Sequence, residues 1–222
     1  MFGKKDLGRV LRANLQEAIL AGNLDTIRAI TRTNFFTTLN SGNFLRFATA
    51  NPQVAPEVIE TLLEEGCQIN SSDQNGMTAL MFACTNNNQP AAQVLLDRGA
   101  DVTYQNNRGR TALMMCFYPE LPNPALIRTM LTQANGANIL VLPSTEEAGT
   151  SAFERACILA LQHPTYTDIV NEMAASAARD GQGTQPVRMM YSYRQNFGEI
   201  LSIQGVQDLL STETLGIVHD SH

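Results

Sequence analysis

Asp73-Gln74-Asn75-Gly76-Met77-Thr78-Ala79-Leu80-Met81-Phe82-Ala83 decides the fold, because most of it returns at one fixed distance along the chain. Gly76, Thr78, Ala79, Leu80 and Met81 fall on Gly109, Thr111, Ala112, Leu113 and Met114, an offset of 33 residues. Leu62-Leu63-x-x-Gly66 returns as Leu95-Leu96-x-x-Gly99, Asp73 as Asn106 and Ile69 as Val102, all at 33. Several landmarks sharing one period mark a repeat in which each unit buries its apolar face against its neighbours.

The period extends in both directions. Gly149, Ser151, Ala152, Phe153, Ala156 and Cys157 overlay Gly76, Thr78, Ala79, Leu80, Ala83 and Cys84 at an offset of 73, two periods plus seven inserted residues. Four of the seven precede Gly136, in the Pro119 to Pro124 stretch and the following turn; three lie between Ile139 and Gly149. Upstream, Phe47 and Ala50 stand 33 before Leu80 and Ala83 and are expected in the same core positions. A looser first unit has two short amphipathic segments, around Leu15 to Ala18 and Ile27 to Ile30, joined at Gly22-Asn23.

Each recurring residue has a physical task. Thr78 and Thr111 stand where a side-chain oxygen accepts the free N–H groups of a helix's first turn. Gly66, Gly99 and Gly136 follow Leu-rich helices, where a left-handed residue closes the last turn. Ala50 and Ala83 are small where helices crowd.

These residues resemble the ankyrin repeat, whose turn reads Asp-x-x-Gly, whose first helix opens with Thr-Pro-Leu-His-x-Ala and whose second ends in Leu-Leu-x-x-Gly-Ala-Asp-Val-Asn. The resemblance covers about residues 8 to 177 and is densest over Asp73 to Thr103. It implies an all-α solenoid of about five helix-turn-helix units in one right-handed stack, with short β-hairpin-like turns. The units are about 8–33, 40–70, 73–104, 106–140 and 148–177, within a domain spanning 1–180. The family's His is replaced by Met81, Met114 and Glu154 and its Pro by Ala, so the polar network that His makes is missing. Residues 181–222 are expected to hold a linker, a mobile tail and, at 187–212, an apolar helical cap over the last repeat, where Ile158 and Leu159 need cover.

Composition narrows the function. The chain has 222 residues, a net charge of −6, 44% hydrophobic content and no Trp. An acidic chain with scattered arginines argues against nucleic acid as the main partner, since phosphate binding needs a concentrated basic patch. The longest purely apolar run, Ile139 to Leu142, cannot span a bilayer. The start, Met1-Phe2-Gly3-Lys4-Lys5-Asp6, leads into no apolar run, so no secretory signal is expected. Lys4 and Lys5 are the only lysines. That scarcity reads either as compositional drift or as avoidance of lysine-directed modification.

Chemistry-bearing residues do not gather. Cys67, Cys84, Cys116 and Cys157 form no CxxC pair and no zinc spacing. Cys84, Cys116 and Cys157 fall at or beside the small core position and are expected buried and reduced in a reducing, cytoplasmic setting. His163 sits in an inter-helix turn, and His219 and His222 in the tail. Met81, Met114 and Met115 fit helical core packing better than a soft-metal site. Glu64-Glu65 and Glu146-Glu147 read as solvated turns. No catalytic residue, metal or cofactor is expected.

The function that the resemblance implies is a non-catalytic adaptor or scaffold holding a protein partner by its concave face and turn tips. The residues free to vary are Ser72, Gln74, Asn75, Met77, Thr85 and Asn86 in unit three, and Gln105, Asn107, Arg108, Arg110, Tyr118 and Pro119 in unit four. Met77 is expected exposed. Arg108 and Arg110 give the only local concentration of positive charge, so an acidic segment on the partner is expected. Two other readings stay open. One is a secreted bacterial effector delivered into a host cell. The other is an enzyme with a cryptic site where the last repeat, with Cys157 or His163, meets the C-terminal segment.

Overall fold

The computed structural model describes residues 4–33, 41–133, 151–179 and 207. The chain divides into two compact units, Met1–Asp101 and Val102–His222. Among the described residues the regular structure is helical, apart from one isolated antiparallel bridge, Ser72 with Thr78.

The first unit holds α1 (Lys4–Ala21), α2 (Leu24–Thr31), α3 (Ser41–Thr49), α4 (Pro56–Glu64), α5 (Ala79–Thr85) and α6 (Gln89–Asp97). They pack as three antiparallel pairs. Leading helices stack α1 on α3 on α5, and trailing helices stack α2 on α4 on α6. Leu15, Ile19, Ile27, Phe44, Leu45, Ile59, Leu62, Leu80 and Leu95 are completely or almost completely buried between them. Full burial of such a side chain contributes about 1.5–3 kcal/mol.

The recurring residues do what their types dictate. Thr78 Oγ1 accepts the Met81 N–H at 3.3 Å at the start of α5. After α4 and α6 the chain turns through Gly66 (φ +92) and Gly99 (φ +80). There Cys67 N–H reaches Leu62 O at 3.0 Å and Ala100 N–H reaches Leu95 O at 2.9 Å. A side chain at either glycine would strain that left-handed backbone. Between α5 and α6 the same closure uses Asn87 (φ +53), with Asn88 N–H on Ala83 O at 2.9 Å.

Two polar residues tie neighbouring pairs together. Asn88 is 1% exposed, and its amide donates to Thr49 O (3.0 Å) and Asn51 O (3.3 Å) while its oxygen caps Ala91 N–H (3.2 Å). Arg46, buried on α3, donates to Ser71 O (2.9 Å) and Ser71 Oγ (3.1 Å), and to Asn43 Oδ1. One turn earlier, a Cβ on Gly42 would stand 2.0 Å from Ser71 Oγ, so only glycine admits that close approach.

The register of α3 departs from expectation. Leu45 and Ala48 are fully buried, whereas Phe47 and Ala50 are half-buried. The α3–α4 turn runs Asn51-Pro52-Gln53-Val54-Ala55 and buries Val54, while α5 and α6 join through the tighter Asn86-Asn87-Asn88. Leu45 therefore plays the part of Leu80, two residues earlier than a strict period of 33 places it.

The second unit holds α7 (Ala112–Met115), α8 (Pro124–Gln133), α9 (Ala152–Gln162), a 3-10 turn (Pro164–Tyr166) and α10 (Thr167–Arg179). Leading helices α7 and α9 pack together, as do trailing helices α8 and α10. Leu113, Met114, Cys116, Leu126, Ile127, Met130, Phe153, Cys157, Ile169 and Met173 form the core. Helix α7 is a single turn ending at Cys116, whose Sγ–H lies 3.5 Å from Ala112 O. Tyr166 hydroxyl donates to Pro122 O at 2.7 Å and so anchors the loop that joins α7 to α8.

Helix α9 opens with a reciprocal cap. Ser151 Oγ accepts the Glu154 N–H at 3.2 Å, and the Ser151 N–H donates to the Glu154 carboxylate. This Ser-x-x-Glu box fills the position where the resemblance implies histidine. Burial pushes the Glu154 carboxyl above its ordinary value, against the pull of Ser151 and Arg155. Gly136, the inserted residues between Ile139 and Gly149, the linker, the 187–212 cap and the tail lie outside the described residues, as do Glu146, Glu147, His219 and His222.

Three predictions follow from these joints. Asn88→Ala loses a cap and two buried bonds at once, so denaturant unfolding should report a loss of about 2 kcal/mol. Glu154→Gln keeps the box without the charge. Because the Glu154 carboxyl titrates higher folded than unfolded, the native protein should lose stability as pH rises from 4.5 through the folded value. The advantage of Glu154→Gln over wild type, from unfolding curves at several pH values, should grow across that range and then level. Finally, all four cysteines are outside any disulfide and buried, so a thiol reagent should label none in the native protein and all four in denaturant.

Candidate partner-binding surface

The first unit presents one finger-like turn. Asp73 Oδ1 accepts both Asn75 N–H and Met77 N–H at 2.8 Å, while Asp73 N–H bonds Met77 O at 3.1 Å. A carboxylate that bonds two backbone donors fixes the loop, leaving Gln74 and Asn75 exposed at its tip. Ser72 is half-buried in the bridge to Thr78. Met77 is half-buried too, not exposed as expected, because the chain there turns back toward α5. At the far end of α5, Thr85 Oγ1 donates to Met81 O at 2.9 Å, and exposed Asn86 donates to Phe82 O at 2.8 Å.

The second unit repeats the finger. Asn106 Oδ1 accepts Arg108 N–H and Arg110 N–H at 3.0 Å, and Asn106 N–H bonds Arg110 O at 3.0 Å. Gln105 braces the loop by donating to Gly109 O at 3.0 Å. Gln105, Asn107 and Arg108 are exposed; Arg110, Tyr118 and Pro119 are half-buried.

Arg110 and Tyr118 are brought together, and a residue absent from the expected set joins them. The Arg110 guanidinium lies 4.6 Å from the Tyr118 ring centroid and that of Arg155 lies 4.4 Å from it. Arg155 Nη2 also donates to Tyr118 Oη at 3.0 Å. Arg155, on α9, occupies the repeat position of Phe82 and Met115, both apolar, so the period offered no cue to it.

The remaining chemistry-bearing residues are engaged in packing or pairing. Met81, Met114 and Met115 are buried, as their helical spacing implied. Burial raises the Cys67 thiol to about 12 and pushes the Cys157 thiol up further, so neither is a ready nucleophile. His163 is exposed beyond α9, edge-on to Tyr166. Among the described residues no three His, Cys, Asp or Glu side chains gather as a metal site. Glu64 and Glu65 are not the free solvated pair expected. Glu65, its side chain 15% exposed, accepts from Thr31 Oγ1 at 3.1 Å and pairs with Arg32 at 3.3 Å, while Glu64 faces Arg98 at 3.8 Å. Arg128 and Glu172 meet at 2.9 Å in a shallow groove between α8 and α10. No helix among the described residues is long and apolar enough to cross a membrane.

Comparison with known proteins agrees with this geometry. Residues 45–143 match the family model for ankyrin repeats in three copies. The chain is 40% identical over 65 residues to the Ankyrin repeat and LEM domain-containing protein 1 homolog of Caenorhabditis elegans, covering 29% of this chain and 9% of that protein. It is 33% identical over 72 residues to the Ankyrin repeat, SAM and basic leucine zipper domain-containing protein 1 of Ornithorhynchus anatinus, covering 32% and 15%. It is 41% identical over 64 residues to the Neurogenic locus Notch protein of Drosophila melanogaster, covering 28% and 2%. The chain thus spans a small part of the length of the relatives it matches. Capped helix pairs, bracketed fingers and this match together identify residues 45–143 as ankyrin repeats.

Proposed function

We propose that this chain is a non-catalytic protein-interaction module, an adaptor or scaffold that holds a partner by its finger tips and leading-helix ends. Ankyrin repeats in general are protein–protein interaction modules. One observation carries the reading for this chain. Both fingers have backbones locked by a single side chain, Asp73 or Asn106, while the residues at their tips lie outside the core. Rigid display of side chains outside the core lowers the entropic cost of binding. Four buried cysteines that form no disulfide support a reducing, cytoplasmic setting. Positive charge at Arg108 and Arg110 on a chain of net charge −6 supports a partner that offers an acidic segment there.

The test is affinity capture with the full chain, followed by binding measurements on the captured partner. Arg110→Ala with Tyr118→Ala should weaken binding by about 1–2 kcal/mol for each residue that acts as a hot spot. The control, Arg128→Ala with Glu172→Ala, sits on the trailing helices and should leave affinity unchanged. The reverse pattern would move the partner to the other face.

A further inference from the structure

We propose that the outer face of α1 is a self-association surface, on which a second copy of this chain lays its own α1 antiparallel, with Ala13 at the two-fold axis. This goes beyond the adaptor reading, since it concerns a different face and a different partner.

The surface is written in the sequence of the helix. Leu7, Val10, Ala13, Glu17 and Leu20 follow one another at steps of three or four residues, so they share one side of α1. All five are exposed. The opposite side carries Leu15, Ala18 and Ile19, which are buried, and α1 packs on α2 and α3. Leu7 is 43% exposed, Val10 45% and Leu20 52%, and among the described residues the one other exposed large hydrophobic is Leu121. A solenoid helix left facing water normally turns a polar side outward. An apolar stripe gathered on one such helix marks an interaction surface.

Symmetry and charge select what covers it. Ala13 is midway between Arg9 and Glu17 and, within one residue, midway between Leu7 and Leu20. Turning a second α1 about a two-fold axis through Ala13 therefore sets Arg9 of each copy opposite Glu17 of the other. The same turn brings Leu7 of one copy level with Leu20 of the other. Within a single helix Arg9 and Glu17 stand about 12 Å apart along the axis, too far to pair with each other. Both are exposed, so a second copy can reach them. Such a contact is isologous, and each favourable pair occurs twice. The small side chain at the centre lets the two helices approach closely.

The size of the face sets the strength. Helix α1 has 18 residues, about 27 Å of length. One helix pair of that length covers less than the roughly 1,600 Å² of a standard stable interface, so association is expected at about micromolar concentrations or weaker. Each copy keeps its Asp73 finger, which belongs to the third helix pair, and a dimer would hold a partner with two binding segments by avidity.

The test is sedimentation equilibrium of the full chain from about 10 to 500 µM. The weight-average mass should rise from 24.3 kDa toward twice that value. Val10→Glu and Leu20→Gln should each weaken self-association by about tenfold or more while melting like wild type, since both side chains are exposed. Arg9→Glu and Glu17→Arg separate this contact from any other. Alone, each sets like charges opposite one another and should stay monomeric. Mixed in equal amounts, the two variants restore both opposite-charge pairs and should form a heterodimer. A wild-type chain that stays monomeric throughout overturns the proposal. So does a dimer untouched by Val10→Glu and Leu20→Gln, or a mixture of the two charge variants that associates no better than either alone.

Discussion

A pair of short antiparallel helices has two apolar faces and can cover neither alone. Helix α5 has seven residues and α7 four, lengths at which an isolated helix does not persist in water. Each pair exists because the next one buries it, leading helix on leading helix and trailing on trailing within each compact unit. The caps, the left-handed turns and the fingers are consequences. Stacking leaves every helix end at the rim of a layer, where its unpaired N–H and C=O groups need local partners. Thr78, Thr111 and Ser151 supply those at the leading-helix starts, and Gly66 and Gly99 close the trailing-helix ends.

The same constraint explains what the sequence disclosed. Positions that must satisfy a layer recur, so the period of 33 exposed Thr78 and Thr111, Asp73 and Asn106, and Leu95 and Leu62. The register of α3 was hidden because its partner α4 keeps the period. The two extra turn residues are absorbed ahead of α4, so Leu62 still falls on Leu95 while Leu45 slips against Leu80. Glu154 looked like a loss of the family histidine, yet Ser151-x-x-Glu154 was a capping signature of its own kind. Arg155 was illegible for a different reason. What it touches, Tyr118, lies 37 residues away, and no spacing rule joins them.

Charge has two roles in this chain. Exposed pairs such as Arg98 with Glu60, at 3.7 Å, contribute little to stability, about 1 kcal/mol at most. Their carboxylates and guanidinium groups nonetheless answer one another, so the net excess of acid is spread thinly. Two cations also converge on the neutral Tyr118 ring, at 4.6 Å and 4.4 Å from its centroid.

Asn88 sets how far disturbance can travel in the first unit. Its amide holds the carbonyls of Thr49 and Asn51 while its oxygen holds the start of α6, so the end of α3 cannot open without also freeing the first turn of α6. Fraying that begins at α1 meets a joint where two layers must give way in one step. In hydrogen exchange such a joint separates amides that open locally from amides that exchange only when the whole unit unfolds. The α3–α5 layers would then form the slow-exchanging heart of the unit, and a pulling force applied at the N-terminus would pause there before the remaining helices let go together.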